Sequence, residues 1–347
     1  MIVIAFAALV GIAATIFGFV TDAHATAFAY LTAWWAAMSI AIGALGFLMI
    51  TNVAEARWAK AYRRDAEAIA GTLPILALLF VPIALFAPEL YAWIDPSPEL
   101  APSILRRVAH AHSYLNRTAW TIRAGVFLAI WIGLAEIVIR RRSRTASAIG
   151  LPLLGLTATF AAFDWIMSLT PAWASTIFGL ACIFGGLLGA VALLAALNSV
   201  AAPMDAGALG RLVLGMLALW AYLELSQGLI IWLANKPDEV PWYVARGAGG
   251  WGNVLVGLVL GGFALPFVSL LGYYRKRRPR SLAAIGGWLV AMHVLDCYWL
   301  VMPVRDPAIA PRWMDAAAIL AIGAVAVAFA RARRSNEKLT SDYAEAA

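Results

Sequence analysis

The stretch SLAAIGGWLVAMHVLDCYWLVMP, residues 281–303, decides what kind of chain this is. It is apolar and 23 residues long, enough to cross a bilayer at 1.5 Å per residue, yet His293 and Asp296 lie inside it. A charged side chain at that depth costs about 2.5–3.5 kcal/mol on insertion scales, so it needs a partner, a watery cavity or a function.

The rest of the chain has the same character. Of 347 residues, 63% are hydrophobic and 13% charged, with a mean hydropathy of +0.82. Soluble domains carry about 25% charged residues, so the composition excludes an ordinary soluble domain. Ten apolar stretches reach spanning length, near 2–20, 28–51, 69–91, 119–139, 149–170, 172–197, 211–233, 252–274, 281–303 and 313–331. The expected architecture is one all-α transmembrane domain over 1–331, followed by a short cytoplasmic tail at 332–347.

Basic residues set the expected orientation. Clusters at Arg57–Arg64, Arg140–Arg144, Arg275–Arg280 and Arg331–Lys338 fall on one side of a ten-span chain. With Arg211 they bring 18 Lys and Arg to that side, against seven on the other (Arg106, Arg107, Arg117, Lys236, Arg246, Arg305, Arg312). The positive-inside rule therefore places both termini in the cytoplasm. The net charge of +7 is this topogenic signal, and no nucleic-acid partner is implied. Ala23-His24-Ala25 resembles a small-residue cleavage site. The first span has no basic flank and is too long for a signal peptide, so an uncleaved helix is expected.

Cofactor chemistry has little to stand on. Cys182 and Cys297 both lie in spans and read as small packing residues. Only one of the four histidines, His293, is in a span, so a bis-histidine haem cannot be built there. His110 and His112, two apart, would diverge on a helix and make a poor metal pair. No glycine-rich nucleotide loop occurs. The chain is expected to hold no metal and no ligated or covalent cofactor.

Between the spans, segment 92–118 opens with Asp95-Pro96-Ser97-Pro98. It continues as an amphipathic pattern, with Leu100, Ile104, Leu105 and Val108 against Arg106, Arg107 and His110, which predicts a short surface helix. Thr170-Pro171 predicts a tight hairpin, with one helix ending and the next starting at the proline. Trp165 and Trp173 would flank it as interfacial anchors, and Trp34, Trp35 and Trp242 read as belt aromatics. A proline-pinned loop, Asn235 to Tyr243, leads into the glycine-rich run 247–252, expected to be flexible or closely packed.

Three acids share one layer of the outer half. At 1.5 Å per residue, Asp164 lies roughly 9 Å, Asp296 roughly 10 Å and Glu224 roughly 12 Å from the outer ends of their helices. His293 is one turn below Asp296 on the same face, as Gln227 is beside Glu224 and Ser168 beside Asp164. Toward the cytoplasm these helices are nearly silent, with only Thr157 and Thr159 on the fifth. The candidate site is therefore Asp164, Ser168, Glu224, Gln227, His293 and Asp296, reached from outside and closed from inside. Such a layer can relay protons, hydrogen-bond a quinol headgroup or hold helices together. Arg123 and Glu136, near the ends of the fourth span, read as snorkelling structural residues.

Three motifs in order carry a resemblance. Phe163-Asp164-Trp165-Ile166-Met167-Ser168-Leu169-Thr170-Pro171-Ala172-Trp173 through Gly179 is the first. Tyr222-Leu223-Glu224-Leu225-Ser226-Gln227-Gly228 through Asn235, with Pro237 to Tyr243, is the second, and His293 to Pro303 the third. Together they resemble the second quinone-binding-type membrane subunit of bacterial alternative complex III, a quinol:cytochrome c (or other acceptor) oxidoreductase. The resemblance implies a polysulfide-reductase-like membrane fold: two four-helix bundles with peripheral first and last helices. It also implies the bacterial inner membrane and three partners: a multihaem cytochrome, an iron–sulfur subunit and a paralogous quinol-binding membrane subunit. Quinone or quinol would be the only small-molecule ligand, and the chain would not be an enzyme alone. A structural membrane anchor and an independent transporter remain the alternative roles. Three departures stand out: Glu224 where the family has a small residue, a shorter connection at Ala201–Gly210, and no histidine near Ala172.

Overall fold

A computed structural model describes residues 2–96, 102–198, 202–235 and 239–346, with the side chains of 103, 104 and 335–346 outside the description. Expectations resting on Ser97, Pro98, Leu100, the Ile104 side chain, Lys236–Asp238 and the Lys338 side chain thus lie outside the described residues. Among those described, every regular element is helical, and ten helical stretches are long and apolar enough to cross a membrane. They are Ile2–Thr21, Ala23–Val53, Arg57–Leu85, Arg117–Arg141, Arg144–Leu169, Phe178–Leu197, Pro203–Ala234, Trp251–Leu271, Pro279–Arg305 and Trp313–Arg334. We number them spans one to ten.

Span two is the central post. It packs against spans three, four and five on one side and against six, nine and ten on the other. Spans two to five form one four-helix group and spans six to nine a second, while spans one and ten pack on each other at the periphery. Small residues allow close approach between the two groups, at Gly43 and Gly186, and within the second, at Gly286. A Cβ on Gly43 would meet the Gly186 backbone, one on Gly186 would meet the Ser39 backbone, and one on Gly286 would meet the Ala192 carbonyl. In lipid, where tails are as apolar as leucine, such backbone proximity is a main source of helix association.

Span three departs from a simple helix. Pro74, Pro82 and Pro88 each stand in the first turn of a short segment, Leu73–Leu78, Val81–Leu85 and Ala87–Leu90. Proline has no N–H to continue the helix, so carbonyls are freed at membrane depth and must find donors. Side chains of span two supply them: Trp34 Nε1 donates to the Leu76 carbonyl (2.8 Å) and the Tyr30 hydroxyl to that of Leu79 (2.9 Å).

This explains one correction to the sequence reading. Trp34, Trp35, Trp165, Trp173 and Trp242 are all buried rather than sitting in a belt. Trp165 packs edge-on against Trp34, Trp35 and Trp131, and Trp173 stacks on Trp242 with centroids 4.2 Å apart. A second correction concerns Thr170-Pro171. Span five ends in a turn at Met167–Leu169, residues 170–177 form a non-helical connection, and span six starts only at Phe178. The connection is held by its own contacts, including the Ser175 hydroxyl on Gln227.

The glycine-rich run is packed. Gly249 has φ +56°, and a Cβ there would meet the Pro307 carbonyl and Ala308. Segment 102–111 is helical, with Arg106 and Arg107 exposed and Val108 buried, as the amphipathic pattern predicts.

Candidate functional site

The polar layer separates into two places. The first is in the group of spans two to five. Asp164, with no exposed surface, receives two bonds from Arg123: Nε to Oδ2 at 2.7 Å and Nη2 to Oδ1 at 3.0 Å. Arg123 thus turns inward instead of snorkelling. Its third nitrogen donates to the Tyr114 carbonyl (2.9 Å), and its plane lies 3.8 Å from the Tyr114 ring centre. The Asp164 carbonyl accepts from Ser168 Oγ (2.6 Å) and Trp120 Nε1 (2.9 Å). Every group here has a strong partner, and a bidentate guanidinium–carboxylate pair is the strongest ordinary way to hold a buried acid. Ser168 is spent on its own helix.

The second place is between spans seven, eight and nine, with spans two and six behind. Glu224 and Asp296 lie near enough for their charges to act on each other, and both act on Cys182. Among the described residues neither carboxylate has a hydrogen-bond donor or a cation as partner. One turn below Asp296, the His293 imidazole approaches Ser39 Oγ with Nε2 at 2.9 Å. Since the single Ser39 hydroxyl proton points to the Ala36 carbonyl (3.1 Å), His293 Nε2 is assigned as the donor of a neutral ring. Gly189 makes the room: a Cβ there would stand 3.2 Å from the imidazole. Cys297 Sγ is 3.8 Å from His293 Nε2, and both cysteines are free thiols.

Beside His293 and Asp296 is a cavity of about 20 Å³, bordered by Gly185, Trp220, Gly262 and Met292. That is room for one water and too little for a quinone ring. Its wall on span eight is irregular. Leu258–Ala264 forms a π-helical stretch, and the Gly261 carbonyl accepts from Trp288 Nε1 (2.7 Å). π-turns within helices are often found at functional sites, because the widened turn re-aims backbone and side chains.

A link runs outward from the acids. Gln227, one turn from Glu224, accepts from Ser175 Oγ (2.8 Å) and donates from Nε2 to the Tyr243 hydroxyl (3.2 Å). Ser175 and Tyr243 lie in the connections beyond the spans, on the face opposite the arginine-rich loops. Burial pushes the Tyr243 phenol up to about 12, so it stays protonated and able to donate in its turn. Sequence reasoning missed both residues, although Tyr243 belongs to the Pro237–Tyr243 motif and was a visible candidate. It missed Ser39 as well, because nothing in span two marks which neighbour the serine faces.

In the other direction lies a cavity of about 370 Å³, from Ala33, Ala36 and Val294 to Asp65, Arg331 and Arg334. Its long walls are Ala, Val, Ile, Leu and Gly, and polar side chains return only at Thr72, Asp65, Arg331 and Arg334. Asp65 is itself bound to Arg334 (2.8 Å) and Asn198 (2.8 Å). Apolar cavities stay dry, so this space is no proton path by itself.

Fold and site together define a multi-pass α-helical membrane protein with two carboxylates inside its spans that have no bonded partner among the described residues. No protein-family model and no curated protein matches the chain.

Proposed function

We propose that this chain is an integral membrane subunit of a bacterial respiratory quinol:acceptor oxidoreductase of the alternative complex III type. It would contribute a proton half-channel opening on the periplasmic face, in the cytoplasmic (inner) membrane. The three motifs quoted above support the family. The carboxylate pair supports the half-channel.

The observation that carries this reading is the environment of Glu224 and Asp296. Two acids held only to stabilise helices would be bonded as Asp164 is, and these are not. With no cation between them, proton gain at one changes the cost of charge at the other. Such coupling suits transfer. The order would be Tyr243 and Ser175 at the face, Gln227, Glu224, Asp296, a water in the small cavity, then His293 and Ser39. Asp164 and Ser168 would serve as a structural tie outside this path. The dry cavity toward the arginine-rich face would keep the route from becoming a leak.

A quinone site at the acids is disfavoured because the cavity beside His293 is an order of magnitude too small for a pocket that buries a ring. The test is proton release per quinol in proteoliposomes containing the whole complex. Asp296→Asn and Glu224→Gln should slow release by roughly a hundredfold or more, the usual weight of a positioned acid–base group. Wild-type release in both variants of an intact complex overturns the half-channel. A chain that purifies without redox subunits overturns the complex.

A further inference from the structure

Between the Leu169–Trp173 segment, helix Val240–Gly247 and the end of span nine at Pro303–Val304 lies a cavity of about 340 Å³. It opens on the face opposite the arginine-rich loops, and helix Val240–Gly247 is outside the spans. Its charged and indole side chains, Arg246, Trp173 and Trp242, are donors, and the Thr170 hydroxyl can donate or accept. Arg246 is 4% exposed, stacks 3.6 Å over Trp242, and gives Nη2 to the Leu300 carbonyl (2.7 Å) and Nη1 weakly to that of Trp242 (3.4 Å). Among the described residues its Nε has no partner, and neither does the buried indole N–H of Trp173, whose ring lies against Trp242. At the rim, Arg107 donates to the Ala172 carbonyl (3.1 Å).

No carboxylate lines this cavity, and none among the described residues pairs with Arg246. A guanidinium and an indole can only donate, so the site calls for an acceptor. A buried cation also calls for negative charge, since taking it out of water is otherwise uncompensated. Burial brings the Arg246 guanidinium down to about 9. A neutral quinone ring could accept the bonds but would leave the charge uncompensated.

We propose that this cavity receives a carboxylate, the side chain of an aspartate or glutamate on a protein subunit docked against this face. The guanidinium supplies the charge that a carboxylate matches, and Arg246 Nε and the Trp173 indole N–H are the donors it reaches once docking shifts the side chains that now seal them. The Trp173–Trp242 stack is a rigid aromatic floor of the sort that anchors interfaces. The assignment rests on the reading of this chain as part of a complex.

The experiment uses the assembly purified from native membranes through a tag on this chain, with Ala245→p-benzoylphenylalanine as a photocrosslinker in the cavity wall. The expected product joins Ala245 to a peptide of another subunit carrying an Asp or Glu. Arg246→Gln should weaken retention of that subunit by roughly 30-fold or more, as when half of a buried interfacial ion pair is removed. Neutralising the partner acid should cost about as much, and combining the two should cost little more. Thermal unfolding of the Arg246→Gln chain in detergent, unchanged from wild type, excludes misfolding as the cause. If that variant misfolds, neutralising the partner acid in the wild-type background decides alone.

Crosslinks only to lipid or to the chain itself, or full retention with Arg246→Gln, overturn the proposal. If the crosslinked acidic subunit belongs to an assembly without quinol activity, the respiratory reading fails and the carboxylate site stands.

Discussion

Arg123 on span four grips Asp164 on span five with two hydrogen bonds of 2.7 and 3.0 Å, and this separates Asp164 from the acids of the second helix group. Removing one half of a buried ion pair strands the other. Arg123→Gln should destabilise the fold by about 3–5 kcal/mol in detergent thermal unfolding, and Arg123→Leu with Asp164→Leu by much less. Asp164→Asn should leave proton release in the complex near wild type. Loss of release comparable to that of Asp296→Asn would return Asp164 to the relay.

Gln227, one turn outward from Glu224, is bonded on one side to Ser175 and on the other to Tyr243. Gln227→Leu keeps the volume and removes the bonds. Proton release should slow by roughly tenfold while the subunit stays assembled, as measured by pH-dye kinetics beside gel filtration. An unslowed Gln227→Leu complex would mean that protons reach Glu224 by another way.

The contact of spans two and six depends on glycine at 43 and 186. Gly186→Ala should cost about 1–3 kcal/mol, because its Cβ meets the Ser39 backbone and not the end of a flexible side chain. Gly155→Ala, on open helix surface, should be neutral or slightly stabilising. Equal melting temperatures for the two variants would contradict this packing.

If Arg246 holds a partner's carboxylate, association is linked to pH. The guanidinium keeps its charge, and a carboxylate held beside it ionises more readily than a free one. Association should therefore weaken as pH falls through the free acid's range at ~4, by up to roughly tenfold per unit. Retention of the subunit across a pH series, compared between wild type and Arg246→Gln, reads this directly. A slope shared by both would assign it to other groups.

The spans were legible because twenty apolar residues in a row have few other uses, and the depth of Asp164, Glu224, His293 and Asp296 followed from counting along each helix. Lateral neighbours were not legible. Nothing in the one-dimensional pattern says that Arg123 turns in toward span five, that Ser39 faces His293, or that Glu224 and Asp296 lie in one helix group and Asp164 in the other. Trp34 looked like a belt residue because its role depends on a carbonyl freed by the prolines of a different span. The start of span six was misplaced at Pro171 because a Thr-Pro pair signals a helix start only where the following residues have no stronger side-chain bonds to make.

We propose that Glu224 and Asp296 exchange protons only with the face that carries Tyr243 and Ser175. Infrared spectroscopy of the complex reconstituted in one orientation, with D₂O added to either side in turn, tests it most directly. The account predicts carboxylic-acid bands that shift with D₂O on the face of Tyr243 and Ser175, do not shift promptly from the arginine-rich face, and are lost in Asp296→Asn with Glu224→Gln. Bands that never exchange, or that exchange equally from both sides, would contradict it.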